Sequence, residues 1–368
     1  MPSKLRVGVV GANIHEGWGG RVHVPVYQAL AETEVVAICN SRLETAQEAC
    51  QHFGIPHAFN DYNQLVQSPE IDAVSIATRV SLHHPIALAA LSAGKHVFCE
   101  WPLAVTSGQA SELLAMAQAN RLQHGIDAQA RGAPALLRMR ELVEEGYLGR
   151  LLTFNMKIVQ SSAMVPREQH HWWIYNQGEG GDALTIPCGH AVDFMQWCLG
   201  DIAEVAGASA TQVEEGSIAE SGEQIHVTSF DTVAFAARLD NGAVGSVYTT
   251  WASLQDIGWQ LEAYGTEGSL VASAAGGLQV TPVQLRGARR GEGDLRLLEV
   301  PDHLKEVTEF SESDPRYNVA VLARRFASAA LGQGKPNPDF ADAVRLHRVL
   351  EAVVASSEGR RWEAVPLA

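Results

Sequence analysis

The chain of 368 residues carries 27 basic against 42 acidic side chains, a net charge of −15, with 46% hydrophobic and 19% charged residues. This balance excludes direct nucleic-acid binding, which needs a basic face, and no apolar run approaches the roughly 20 residues that cross a bilayer. The length suffices for two domains with sizeable cores.

The first residues, "MPSKLRVGVVGAN", enter a strand almost at once, leaving no room for a signal peptide. "LRVGVVG" (5–11), "EVVAICN" (34–40), "DAVSIAT" (72–78) and "KHVFCE" (95–100) read as buried parallel strands rich in Val and Ile. Helical patterns fill the intervals at 22–31, 43–52, 84–93 and 106–120. Strand and helix alternating at this rhythm predict a doubly wound parallel sheet over residues 1–125, with a ligand crevice at the carboxyl ends of its strands.

From about 126 the character changes. A helix at 133–145 ends at Gly146, and "LLTFNMKIVQ" (151–160) opens a strand-rich region. Further strands are expected near 204–211, 226–239, 243–251, 258–264, 268–273 and 296–300, with an Asn241–Gly242 hairpin turn. "RGARRGEGD" (286–294) reads as an exposed Gly-rich loop. A long helix at about 180–199 interrupts the strands, and helices near 315–331 and 340–357 close the region. The expectation for 126–368 is an α+β domain with a large, mostly antiparallel open sheet that serves substrate binding and oligomerisation, its last helices packing back on the first domain.

The five cysteines, Cys39, Cys50, Cys99, Cys188 and Cys198, sit in apolar or helical contexts without CxxC spacing. Reduced, buried thiols in a cytoplasmic protein are the plain reading. Cys188, two residues before His190, has no visible surroundings that would lower its pKa. No metal set with sensible spacing appears; His83–His84 and His170–His171 are adjacent pairs, not ligand pairs, and the neighbours His170 and His171 in their aromatic loop are expected to point different ways.

The turn after the first strand, "GANIHEGWGGRVHVP", is glycine-rich and leads into a helix, so its amides can approach a pyrophosphate. It departs from G-x-G-x-x-G: Asn13 stands where the second glycine belongs, and Gly17, Gly19 and Gly20 come late. After the second strand an acidic residue normally takes the ribose 2′-hydroxyl of NAD. Here Asn40, Ser41 and Arg42 follow instead, and serine and arginine suit a 2′-phosphate, which favours NADP over NAD. Ser41 also reads as a helix N-cap, with Glu44 completing a capping box.

"LRVGVVGAN", "DAVSIAT", "LHHPIALAALSAGKHVFCEWPLA" and "GHAVDFMQW" together resemble the glucose–fructose oxidoreductase / inositol dehydrogenase / MocA (Gfo/Idh/MocA) family over nearly the whole chain. Within it the likeness is to the branch of the fungal galactose-regulon repressor. That branch shares the turn with Gly11, Asn13, Gly17 and Trp18, a Glu-Trp pair after the fifth strand, and the run Gly189, His190, Asp193, Gln196. The resemblance implies a Rossmann domain, a C-terminal domain whose open sheet makes homodimers or homotetramers, and a nicotinamide cofactor. The implied cofactor shell is Gly11, Asn13, Trp18, Ser41, Arg42, Thr78, His83, Glu100, Trp101 and Arg131, the last alternatively a brace at the domain junction.

Members of the family carry Glu-Lys-Pro where this chain has Glu100-Trp101-Pro102, and an Asp-x-x-x-His pair where it has Ile186 and His190. Indole N–H donates a hydrogen bond but exchanges no proton near neutral pH. His190 then either acts alone as acid/base or is a structural histidine; Lys157, Tyr175, Thr185 and the pair His170–His171 are the nearby polar groups that could assist. The resulting expectation is an NADP(H)-dependent oxidoreductase acting on a sugar-like or other small carbonyl or alcohol substrate. The alternatives are a catalytically silent nucleotide-binding regulator that contacts a protein, and a redox-neutral reaction using the cofactor transiently.

Overall fold

The computed structural model of the chain describes residues 4–366. It comprises two compact units, one built from the chain up to Gln129 together with Val307–Val344, the other from Ala130–Glu306 and the chain from Arg345 onward.

In the first unit the apolar runs become β1 (Leu5–Val10), β2 (Thr33–Cys39), β4 (Ala73–Ile76) and β5 (His96–Glu100), joined by the short β3 (His57–Phe59) and by β6 (His124–Asp127). All pair in parallel in the order β3-β2-β1-β4-β5-β6. Helices α1 (Val24–Ala29), α2 (Leu43–Phe53), α3 (Tyr62–Gln67), α4 (His83–Ser92) and α5 (Ser107–Ala119) make the crossovers. Strand residues such as Val7, Val9, Ile38, Ala73 and Val97 are almost wholly buried, as a sheet covered on both faces demands.

The second unit begins with α6 (Pro134–Glu144), β7 (Leu151–Val159) and α7 (Gly189–Leu199). A large sheet follows from β8 (Ile202–Ala210), β11 (Thr232–Leu239), β12 (Val244–Thr250), β13 (Gly258–Gly265), β14 (Gly268–Ala274), β15 (Gln284–Arg289) and β16 (Arg296–Leu297), while β9 (Glu215–Ser217) pairs with β10 (Gln224–His226) as a separate hairpin. With β17 (Glu363–Ala364) at one edge, the nine strands run β16-β15-β14-β13-β7-β12-β11-β8-β17, antiparallel except for β7 with β12. Burial alternates along β11, β12 and β14, which marks one packed face and one solvated face. The closing helices are α8 (Arg316–Ala330) and α9 (Phe340–Gly359). Helix α8 belongs to the first unit, where Tyr317 and Phe326 join the core of Val7, Val9 and Tyr27.

The fold class is the expected one, and the differences have local causes. The helix expected at 180–199 is a regular helix only from Gly189; Leu184–Cys188 forms a wider π-type turn around Pro187, which lacks the amide a regular helix needs. The strand expected at 226–239 splits into β10 and β11. "RGARRGEGD" starts inside β15, whose charged side chains suit a strand near the edge of the sheet.

Candidate active site

Gly11 closes β1 with φ +93°, and a Cβ there would lie 2.3 Å from the Ala77 carbonyl oxygen, so glycine is required by both conformation and space. A Cβ on Gly20 would meet the Asn13 carbonyl oxygen at 2.2 Å. The long turn is therefore pressed against its neighbours, and it leads through a π-type turn, Gly19–His23, into α1. At the carboxyl ends of β1, β2 and β4 lies a cleft of about 480 Å³ whose walls include Gly11, Asn13, Ser41, Arg42, Asn60 and Thr78. Helix α2 takes Arg42, not Ser41, as its N-cap position and uses no side-chain cap. The expected Ser41 capping box is thus absent, and the exposed Ser41 and Arg42 side chains are left to the cleft. Glycine backbone, side-chain amides, a hydroxyl and a cation in one concave site fit a dinucleotide.

Two residues assigned to the cofactor shell have other partners. Trp18 packs on the apolar core. His83 is buried with Nδ1 2.7 Å from the Pro102 carbonyl oxygen and Nε2 2.9 Å from that of Thr78, so it ties the chain after β4 to the chain after β5. Burial holds its pKa below the ordinary value.

The end of β5 carries a group that the sequence did not reveal. His23, wholly buried, places Nε2 2.5 Å from Glu100 Oε1 and 3.6 Å from Asp127 Oδ2, and its Nδ1 is 2.7 Å from Ser75 Oγ. Gln129 Nε2 donates to Asp127 at 3.2 Å and reaches Glu100 at 3.5 Å. Burial disfavours a charged His23, but hydrogen bonds to Asp127 and Glu100 outweigh it and raise its pKa to about 9. Burial and the Asp127 charge push Glu100 well above the carboxylate range despite the His23 contact. Trp101, next in the chain, is itself buried. The only sequence signal was a histidine set among valines in "RVHVPV".

In the second unit His190 is buried in the first turn of α7. One turn on, Asp193 takes a buried bidentate pair from Arg131, with Nε and Nη2 at 2.8 and 2.6 Å. The Arg131 guanidinium also lies 5.1 Å from the Trp197 ring centroid. Arg131 is thus held by Asp193 within this unit, the bracing role that the sequence offered as its alternative. Asp182, missed in the sequence, is buried and accepts from the Thr185 amide at 2.7 Å and hydroxyl at 3.0 Å, which caps the π-type turn. Burial pushes the Cys188 thiol up to about 12, which removes it as a nucleophile.

Lys157 and Tyr175 each have surroundings of their own. Trp259 pairs with Ile158 and packs on Phe194 of α7, so Ile158 faces α7 and Lys157, one residue before it, lies on the opposite sheet face. Tyr175 is buried with Ile218 and Val227, and its hydroxyl donates to the Ser217 carbonyl at 3.0 Å. His170 and His171 do not diverge: their ring centroids are 3.9 Å apart, and Glu168 Oε2 lies 3.5 Å from His170 and 4.0 Å from His171. Sequence reading also missed Arg167. Its partly buried guanidinium lies 5.6 Å from the Tyr175 centroid and 5.0 Å from that of Trp251, its buried Nε has no hydrogen-bond partner among the described residues, and burial lowers its pKa.

Comparison with known proteins matches residues 5–127 to an oxidoreductase family with an NAD-binding Rossmann fold and residues 136–271 to the C-terminal domain of the same Gfo/Idh/MocA group. The chain is 28% identical to levoglucosan dehydrogenase of Pseudarthrobacter phenanthrenivorans, over 98% of both chains. A structure of levoglucosan dehydrogenase in complex with NADH superposes with a TM-score of 0.88 at 26% identity, covering all of each chain. Identity to 1,5-anhydro-D-fructose reductase of Ensifer adhaerens is 28% over 97% of this chain and 98% of that one. The galactose/lactose metabolism regulatory protein of Saccharomyces cerevisiae is 26% identical over 65% of this chain and 59% of its own length.

Proposed function

The chain belongs to the Gfo/Idh/MocA oxidoreductase family, and from that premise we propose that it is an NADP(H)-dependent oxidoreductase of a sugar-like carbonyl or alcohol. The observation that carries the reading is the cleft with Ser41 and Arg42 in its wall and the glycine turn at its base. Gly11 and the turn after it admit the pyrophosphate, Asn13 and Thr78 orient the dinucleotide, and Ser41 and Arg42 hold a 2′-phosphate, which a carboxylate at that place would repel. Once bound, the nicotinamide supplies or accepts hydride. The sugar-like class is supported by the dehydrogenase and reductase relatives, both named for anhydro-sugar substrates. His190 is the acid/base candidate on α7, and Arg167 between its two aromatic rings is suited to hydrogen-bond substrate oxygens. The solvated face of the nine-stranded sheet, with Tyr248 40% exposed, is assigned to self-association as a dimer or tetramer.

The test is to incubate the purified chain with NADP⁺ or NADPH and a panel of anhydro-sugars, aldoses, ketoses and small ketones, following nicotinamide absorbance. Turnover with at least one substrate and tighter binding of NADPH than NADH are expected; binding without turnover on the whole panel would sink the enzyme reading. The second reading, a silent regulator, draws on one observation: Trp101 and Ile186 stand where the family carries Lys and Asp. Specific capture of a protein partner, with no turnover, would favour it.

A further inference from the structure

His23, Glu100 and Asp127 bring a ring nitrogen and two carboxylate oxygens within 4.8 Å of one another inside the first unit. One imidazole and one amide bridge the two carboxyl groups, and burial together with the nearby Asp127 charge favours a proton on Glu100. Glu100 is the least buried member of the cluster. The side chains of His23 and Asp127 are wholly buried, whereas Glu100 is 15% exposed. That carboxyl sits at the carboxyl end of β5, and His83 ties the following turn to Thr78 on the cleft wall.

We propose that His23, Glu100 and Asp127 form a buried proton store, and that the Glu100 carboxyl exchanges its proton with the substrate oxygen in place of the missing lysine amine. The assignment rests on the oxidoreductase reading. In the reducing direction a bound reduced nicotinamide would supply hydride to the carbonyl carbon, and the Glu100 O–H bond breaks as an O–H bond forms on the substrate oxygen. The carboxylate left behind takes the Nε2 proton of His23, and solvent later restores it; oxidation runs the same steps backward. The raised pKa of His23 and that of Glu100 agree with a store loaded at neutral pH. The other groups facing it are Ser75 from β4, Tyr27 from α1, Cys99 from β5 and His83 from α4. Burial raises the pKa of Tyr27 and Cys99 and lowers that of His83, so all three stay neutral at pH 7 and leave the proton with the cluster.

The test uses the full chain with NADPH bound. The infrared difference spectrum of wild type minus Glu100→Gln at neutral pH is expected to contain a protonated-carboxyl C=O band that shifts in D2O. At saturating NADPH, Glu100→Gln is expected to lose on the order of 100-fold or more in kcat/KM, with the pH dependence of the wild type flattened. An absent band overturns the store, whatever the turnover. A band present with Glu100→Gln fully active overturns the role of Glu100 in proton exchange. A wild type that turns over no substrate instead sinks the reading beneath it, while the band, and an imidazolium signal from His23 in nitrogen-15 NMR, still decide the store. If Glu100→Gln fails to fold, the NMR titration of wild-type His23 stands alone: a neutral ring at pH 7 overturns the proposal.

Discussion

The two units bury charge in opposite ways. In the first, His23 lies between the Glu100 and Asp127 carboxylates, and His23 and Glu100 both keep their protons to higher pH than they would in water. In the second, Arg131 and Asp193 form a fixed pair with two parallel hydrogen bonds and no need of a shared proton. A fixed pair rigidifies, whereas a proton-sharing cluster can release and recover a proton. The contrast sets a proton-holding cluster at the end of the parallel sheet and a rigid ion pair beside His190 on α7.

The largest effect tests the premise of the first unit. Gly11→Val meets both a positive φ and the Ala77 carbonyl, and should abolish dinucleotide binding measured by calorimetry. Next, Asp193→Ala strands a buried guanidinium and should cost about 3–5 kcal/mol in denaturant unfolding, with Arg131→Met added to it recovering much of the loss. Normal stability for Asp193→Ala would erase the contrast between the units.

Third comes pH. His23 is held above its ordinary value of 6.5, at about 9, so its stabilising contribution is complete below 6.5 and disappears as the pH climbs through 9; Glu100, raised from 4.5, acts in the same direction. In the second unit burial drives His347 down to about 3, so that group costs stability as the pH falls below 6.5. Melting temperature should therefore fall toward alkaline pH in wild type, and Asp127→Asn should blunt that fall while leaving the acid side alone. Arg42→Ala follows, weakening NADPH about tenfold with NADH unchanged. Last, Lys157→Ala should leave kcat/KM within about twofold, because the side chain stands across the sheet from α7.

Much of the fold was legible because Val- and Ile-rich runs have one plausible fate, a strand covered on both faces. Strand β3 ("HAF") and β6 ("HGID") escaped, being only three and four residues long and opening on a polar histidine. The glycine turn, Ser41 and Arg42 were readable because backbone approach to phosphate has a local spacing. The His23 cluster was not, since its members come from a helix start and two strand ends far apart in sequence, and only the parallel pairing of β5 with β6 sets Glu100 beside Asp127. The surroundings of Lys157 and Tyr175 were hidden for a related reason: polarity near a site says nothing of which sheet face a side chain takes or which carbonyl claims its hydroxyl.

The first unit is not a continuous piece of chain, and this bears on its synthesis. Its core draws Tyr317, Val319, Leu322 and Phe326 from α8, with the Phe326 ring centroid 5.4 Å from that of Phe98. Until Ala330 has left the ribosome, the nucleotide-binding half waits with an open apolar flank. By then the sheet-rich half has been translated up to Glu306 and still lacks its closing segment from Arg345 onward, so both halves are expected to complete their cores, and the first its ligand cleft, only near the end of translation.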